Sequence, residues 1–354
     1  MVTYTLHDQE ANVIVARGST SPQDLEPGTT TVLELEEGSA LTVIAPKLWS
    51  VRSPHRYLLA CVLTVDGVAV DGKNVSIGLR NFNWRDEHTL GATLNGDPLH
   101  IRGFSHHSDF GAVGGAVPDR INLFRANALR SVGGNTWRTS HNPYRPAMYD
   151  ILDTVGVLVW DENRDFNQMN ILDMERLVRR DRNHPSVIIW SACNEIECWV
   201  QGNANRTGQM MWEATKKWDT TRPFSANLNQ LSPSMINHTS KYLAAYLDVE
   251  GFSHGTIATT GAAQIHSENK NKAMVSSECC SCQTQRGEDG PGNATAGITY
   301  PHDLSQAMCM QRCMNLSYPF VPGNPNPNTG VIAGTLGVWT LFDYGGEPGP
   351  WPLV

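Results

Sequence analysis

From about residue 95 onward, short apolar segments recur with longer amphipathic stretches between them, and this rhythm limits the fold more than any other feature of the chain. The segments are LHIRGFS, NTWRTS, VLVWDE, SVIIWSACNE, PFSANL, LDVEGFS, AMVSSE and GVWTLFDY. Between the first two, VPDRINLFRANALRSVGG places apolar residues at positions 121, 124, 128, 129 and 132 before a glycine stop, as an amphipathic helix does. A second helix fits ILDMERLVRRDRNH, ahead of the fourth segment. Eight strands separated mostly by helices over about 260 residues match the strand count and size of a (β/α)8 barrel. An open doubly wound sheet is the alternative, but no glycine-rich phosphate loop follows any strand. The chain ends at Val354, soon after the eighth segment and without an eighth helix. The expectation is therefore a TIM barrel over residues 93–354, truncated after strand eight.

Residues 1–92 read differently. ANVIVARG, TTTVLELEEG, SALTVIA, HRYLLACVLTVDG and KNVSIGLRNFNW are short, β-branched and set apart by Gly, Pro or Asp. Turn signals at a spacing of about ten residues predict a β-sandwich. TVDGVAV predicts a hairpin with Asp66-Gly67 at its turn. Composition narrows the partners. A net charge of −8 argues against nucleic acid, whose binders carry a basic face. No apolar run reaches the roughly 18–20 residues that cross a bilayer, so no membrane partner is expected. The N-terminus shows no basic stretch followed by an apolar one, which reads as no signal peptide and tilts the location towards the cytoplasm. Five N-x-S/T sequons, at Asn74, Asn205, Asn237, Asn293 and Asn315, would matter only in a secretory compartment.

In such a barrel, chemistry sits where strands end, at the C-terminal mouth. The polar residues there are His106, His107 and Asp109 after the first strand, and Arg138 with His141 after the second. Asp161 and Glu162 end the third strand and Asn194-Glu195 the fourth; Glu278 ends the seventh, and the eighth contains Trp339, Asp343 and Tyr344. Two glutamates, each closing an apolar strand, would point into one mouth from opposite sides of the ring. Such a pair suits glycoside hydrolysis, in which one carboxyl protonates the leaving oxygen and the other attacks the anomeric carbon or activates water. Arg138 beside Glu278 would keep that carboxylate charged, and its charge would favour the protonated form of Glu195. Two acids in a structural salt-bridge network are the alternative.

At these residues the chain resembles glycoside hydrolase family 2, in particular its β-galactosidase branch. APKLWSVRSPHRYLL is similar to a stretch of the immunoglobulin-like sandwich that precedes the family's barrel. LNGDPLHIRGFSHHSD and GGNTWRTSHNPY resemble its first and second strands, RDRNHPSVIIWSACNE its fourth, and GVWTLFDYGGEPGPWP its eighth. The resemblance implies a retaining double displacement on a terminal β-galactoside, with Glu195 as acid/base and Glu278 as nucleophile. It also implies that Asn194 binds the sugar 2-hydroxyl, that His107 and His141 contact the sugar, that Arg138 orients the nucleophile and that Trp339 floors the ring. Asp109 and Glu162 are either site residues or framework charges, His184 is structural, and Asp343 and Glu347 organise the last loop. A related carbohydrate, such as a β-glucuronide, is the nearest rival substrate.

The departures from the family pattern are specific. Many members carry Asn-Tyr after the sixth strand, with the tyrosine bonded to the nucleophile; here Ser253-His254 stands instead. No Glu-x-His pair follows the third strand, so no metal and no cofactor are expected. Cys279-x-x-Cys282 and Cys309-x3-Cys313 loosely fit a zinc site, but a cation beside Glu278 would upset its charge balance. A disulfide from Cys279, Cys280 or Cys282 to Cys309 or Cys313 is the better reading. The missing helix and Ser253-His254 also leave room for a different class of function, a non-catalytic remnant that binds sugar.

Overall fold

A computed structural model describes residues 1–33, 41–84, 92–111, 113–198, 204–228, 243, 245–253, 272–279, 332–342 and 344. The chain divides into two compact units, Met1–Arg80 with Asn183–Pro185, and Asn81–Arg182 with Ser186–Val354. The first unit carries β1 (Val2–Asp8), β2 (Val13–Ser19), β3 (Tyr57–Val65) and β4 (Val68–Ile77), in the antiparallel order β2-β1-β3-β4. Along β1, Tyr4, Leu6 and Asp8 are buried at alternate positions, the period of a half-buried strand. Asp66 and Gly67 join β3 to β4 with φ of 49° and 81°, positive at both positions as the expected tight hairpin turn requires. Two expected strands, TTTVLELEEG and SALTVIA, do not form over their described residues, 29–33 and 41–45. Val32 and Ile44 there are 67% and 90% exposed, so their apolar character is spent on no core face.

The second unit opens with β5 (Phe82–Trp84), β6 (Ala92–Leu94) and β7 (Asp97–Leu99), a small antiparallel sheet of its own. Phe82–Trp84 and Ala92, read above as the end of the sandwich, thus fall in the second unit. The chain then runs through β8 (Ile101–His106), α1 (Asp119–Ser131), β9 (Thr136–Thr139), α2 (Pro146–Val155), β10 (Leu158–Glu162), α3 (Ile171–Asp181) and β11 (Val187–Asn194). Next come α4 (Ala204–Lys216), β12 (Phe224–Leu228), β13 (Val249–Phe252), β14 (Ala273–Ser276) and β15 (Ile332–Val338). Strands β8 to β15 are all parallel and close into a barrel in sequence order. Helix α2 shows why the helices start and stop where they do. Pro146 stands in its first turn, where no N–H is needed, and Gly156 ends it at φ 77°. Among the described residues, no helix is long and apolar enough to cross a membrane.

The eighth strand lies earlier than its sequence suggested, at 332–338 and not 337–344. Its small residues decide this, because β15 must approach β8 closely: a Cβ on Gly334 would lie 2.8 Å from that of Ile101. The aromatics that looked like strand, Trp339 and Tyr344, follow its end. Gly251 in β13 is a second close approach, where a Cβ would stand 2.6 Å from the Ala226 carbonyl oxygen and 2.6 Å from Ser277 Oγ. Gly251→Ala is expected to cost about 1–3 kcal/mol, the usual penalty of overpacking. Urea denaturation would read it as a lower midpoint at unchanged slope.

Candidate active site

Arg138 on β9 is the hub. It is fully buried, with its guanidinium facing Glu162 in a fork: Nε donates to Oε2 at 3.1 Å, and Nη2 donates to Oε1 at 3.0 Å and Oε2 at 2.9 Å. Its Nη1 donates to Glu278 Oε2 at 2.5 Å, and its Nη2 to Asn194 Oδ1 at 2.7 Å. Burial opposes the guanidinium charge, but the attraction of Glu162 and then Glu278 outweighs it and holds Arg138 above its ordinary range. One cation therefore serves two carboxylates. Both belong to strand ends, Glu162 as the last residue of β10 and Glu278 two residues past β14.

Asn227 on β12 extends this network around the ring. Its Nδ2 donates to Asn194 Oδ1 at 2.7 Å and to Glu278 Oε2 at 3.3 Å, while Ser277 Oγ donates to its Oδ1 at 2.5 Å. Sequence reasoning missed Asn227, although the signal used elsewhere applied: a polar residue near the end of the apolar strand PFSANL. Glu162 also accepts from the Trp160 indole at 3.1 Å and contacts His141 Nδ1 at 2.9 Å. Its place in the Arg138 fork makes it part of the machinery that holds Glu278.

Glu195 follows β11 with φ 47°, a left-handed conformation unusual outside glycine, and opens a single 3-10 turn, Glu195–Cys198. A disulfide between the buried Cys193 and Cys198 closes a loop around it. The five-residue separation of these cysteines was the overlooked clue. On the other side, the buried Ser253 hydroxyl donates to Glu195 Oε1. Cys279, one residue past Glu278, is disulfide-bonded, with its partner outside the described residues, so it is not a thiolate available to zinc. His254, Asp343, Glu347, Cys280, Cys282, Cys309 and Cys313 also lie outside the described residues.

Aromatic rings gather at the first, second and eighth strand ends. Trp339 stacks on His141, with centroids 5.2 Å apart and planes 7° apart, and meets His107 edge-on at 5.1 Å. Tyr344 completes the group, 4.3 Å from the His107 ring and accepting from Trp339 Nε1 at 3.0 Å. The peptide bonds Ser140–His141 and Trp339–Thr340 are both cis. The neighbouring His106 does not join this group. It stacks on Trp137 at 3.5 Å, and burial, then Arg125 and His107, push its pKa well below the ordinary histidine range. Arg125, buried against Trp137, Phe110 and Phe342, donates to the His107 carbonyl at 2.8 Å and feels the charge of Asp109. Asp109, two residues after His107, thus bears on the charge of Arg125.

Comparison with known proteins bears on what such a mouth belongs to. The family model described as "Glycosyl hydrolases family 2, TIM barrel domain" matches residues 89–168 and 163–288, more than half of the chain. A second, "Glycosyl hydrolases family 2", matches residues 2–80. The chain belongs to glycosyl hydrolase family 2. It carries the family's N-terminal sandwich domain followed by its barrel. A β-galactosidase of Bacteroides ovatus is 29% identical over 368 residues, covering 88% of this chain and 42% of that protein. A β-glucuronidase of Streptococcus agalactiae is 31% identical over 173 residues, covering 42% of this chain and 28% of the other. Among solved structures, a family 2 member from Bacteroides cellulosilyticus superposes with a TM-score of 0.70 at 25% identity, over 97% of this chain and 41% of that one. The β-glucuronidase of Bacteroides uniformis shares the fold, with a TM-score of 0.75 at 21% identity, over 97% and 42% of the two chains. The chain thus spans less than half the length of these family 2 relatives.

Proposed function

We propose that the protein is a retaining glycoside hydrolase that removes terminal non-reducing β-D-galactosyl residues. The observation that carries the reading is the placement of Glu195 and Glu278 at the ends of β11 and β14, with Asn194 linking the acid/base segment to the nucleophile through Arg138 and Asn227. Glu195 donates a proton to the leaving oxygen as Glu278 attacks the anomeric carbon, giving a glycosyl-enzyme. Glu195 then takes a proton from water as that bond is hydrolysed. Arg138 and Asn227 hold Glu278 as a carboxylate aimed at carbon. Asn194, already polarised by Arg138, is suited to the sugar 2-hydroxyl, and Trp339 with His107 and His141 offers an apolar and hydrogen-bonding face to the ring. No metal or cofactor is required by this scheme.

The β-galactosidase of Bacteroides ovatus, which aligns along most of this chain, supports the galactoside. The glucuronide reading has the β-glucuronidase of Streptococcus agalactiae in its favour. A panel of nitrophenyl β-glycosides tests it: the galactoside is expected to turn over fastest, and faster hydrolysis of the glucuronide would replace the galactoside assignment.

A further inference from the structure

The departure at the end of β13 has a partner of its own. Ser253 is completely buried, and its backbone N–H is tied to the Leu228 carbonyl at 2.9 Å, so the residue is fixed by the barrel ladder. Its hydroxyl does not reach Glu278. It donates across two strand positions to Glu195 Oε1. Glu195 lies where such a hold can matter. Its left-handed backbone starts a short turn outside the ladder, and the Cys193–Cys198 link constrains only the main chain around it. A glutamate has three side-chain torsions, and each contact on its carboxyl narrows the staggered positions open to it. An acid/base must instead meet one oxygen of the substrate at hydrogen-bond range in both half-reactions.

We propose that Ser253 is a positioning residue for Glu195: its hydroxyl grips one carboxyl oxygen and sets the rotamer from which Glu195 exchanges its proton with the glycosidic oxygen and then with water. The inference rests on the hydrolase reading above and assigns the acid/base its support, as Arg138 supports the nucleophile. Serine suits the task because its hydroxyl donates to the carboxylate and can equally accept from the protonated acid, so the contact survives both proton states.

The test is Ser253→Ala, with Ser253→Thr as the variant that keeps a hydroxyl, each checked for an unchanged fold by circular dichroism and thermal melting. For alkyl or disaccharide galactosides, whose leaving oxygen needs a proton, kcat/KM is expected to fall about 10- to 100-fold in Ser253→Ala. For a dinitrophenyl galactoside, whose leaving group departs as the anion, kcat/KM should change less than about threefold, since acid catalysis contributes little there. Ser253→Thr should recover most of the loss. Equal losses on both substrate types, or none on either, would overturn the proposal. An infrared difference band assigned to the Glu195 carboxyl by subtraction of Glu195→Gln gives a reading without turnover. It should shift in Ser253→Ala and return in Ser253→Thr. If the band shifts but no glycoside is hydrolysed, the Ser253 contact stands and the hydrolase reading fails. If hydrolysis proceeds and the band does not move, the Ser253 proposal fails alone.

Discussion

Glu278→Gln should abolish hydrolysis of an aryl β-galactoside, by about 10^4-fold or more, while the protein remains folded. The size of the loss follows from replacing the proposed nucleophile: an amide cannot form the glycosyl ester, so the proposed route through a covalent intermediate would close. The preserved fold follows from the geometry around Arg138. Glu278 is 5% exposed and receives one hydrogen bond from Arg138 and one from Asn227, both on Oε2. A glutamine oxygen can accept both. Arg138 still keeps the full fork to Glu162, so no buried cation is stranded. The same residue can be named chemically. A 2-deoxy-2-fluoro-galactoside with a good leaving group should slow the second step and leave the sugar on Glu278, in the peptide that begins AMVSSE. A label on any other carboxylate would break the assignment, and an unlabelled, inactive protein would favour the sugar-binding remnant. With Glu195→Ala the pattern should differ: the dinitrophenyl galactoside should still release its phenol in a burst, because attack by Glu278 persists while the water step loses its base.

What could be known before the structure depended on how local each feature is. The barrel was legible because its strands are short apolar runs with helices between, a period that survives in the one-dimensional chain. Glu195 and Glu278 were legible for the same reason, as acids closing such runs. The eighth strand was misplaced because Trp339, Leu341 and Phe342 look like strand residues. The strand instead uses IAGTLGV, whose glycines allow the close approach to β8. TTTVLELEEG illustrates the opposite error: β-branched residues propose a strand, but Val32 finds no buried face to join. The Arg138 hub was only half visible. Its partners lie 24, 56 and 140 residues away in the chain, and only closure of the ring decides that Glu162 takes the fork while Glu278 takes one nitrogen. Ser253 was noticed as a misfit, but its contact with Glu195, 58 residues earlier, depends on the same closure.

Removing the hub should be the most damaging single change to stability. Arg138→Met replaces a fully buried guanidinium by an apolar chain of similar length, and leaves Glu162, also fully buried, without its arginine and with only the Trp160 indole and His141 beside its charge. Breaking a buried ion pair from one side typically costs about 3–5 kcal/mol, because the remaining charge has lost both its partner and its water. Glu278 would lose its cation in the same step and no longer be held at Oε2, so activity should fall by about 10^3-fold or more even in the fraction that folds. The two losses can be separated with a second substitution. In Arg138→Met/Glu162→Gln the stranded charge is gone, and the stability measured by urea denaturation should recover by about 2 kcal/mol or more relative to Arg138→Met alone. Activity should not recover, since Glu278 still lacks its partner. Recovery of both would mean that Arg138 serves the fold only, and that the nucleophile is aligned by Asn227. Recovery of neither would mean that the Arg138–Glu162 fork is not where the stability resides. Loss that tracks Glu162 for stability and Glu278 for turnover is the result expected of one cation shared by two carboxylates with different work to do.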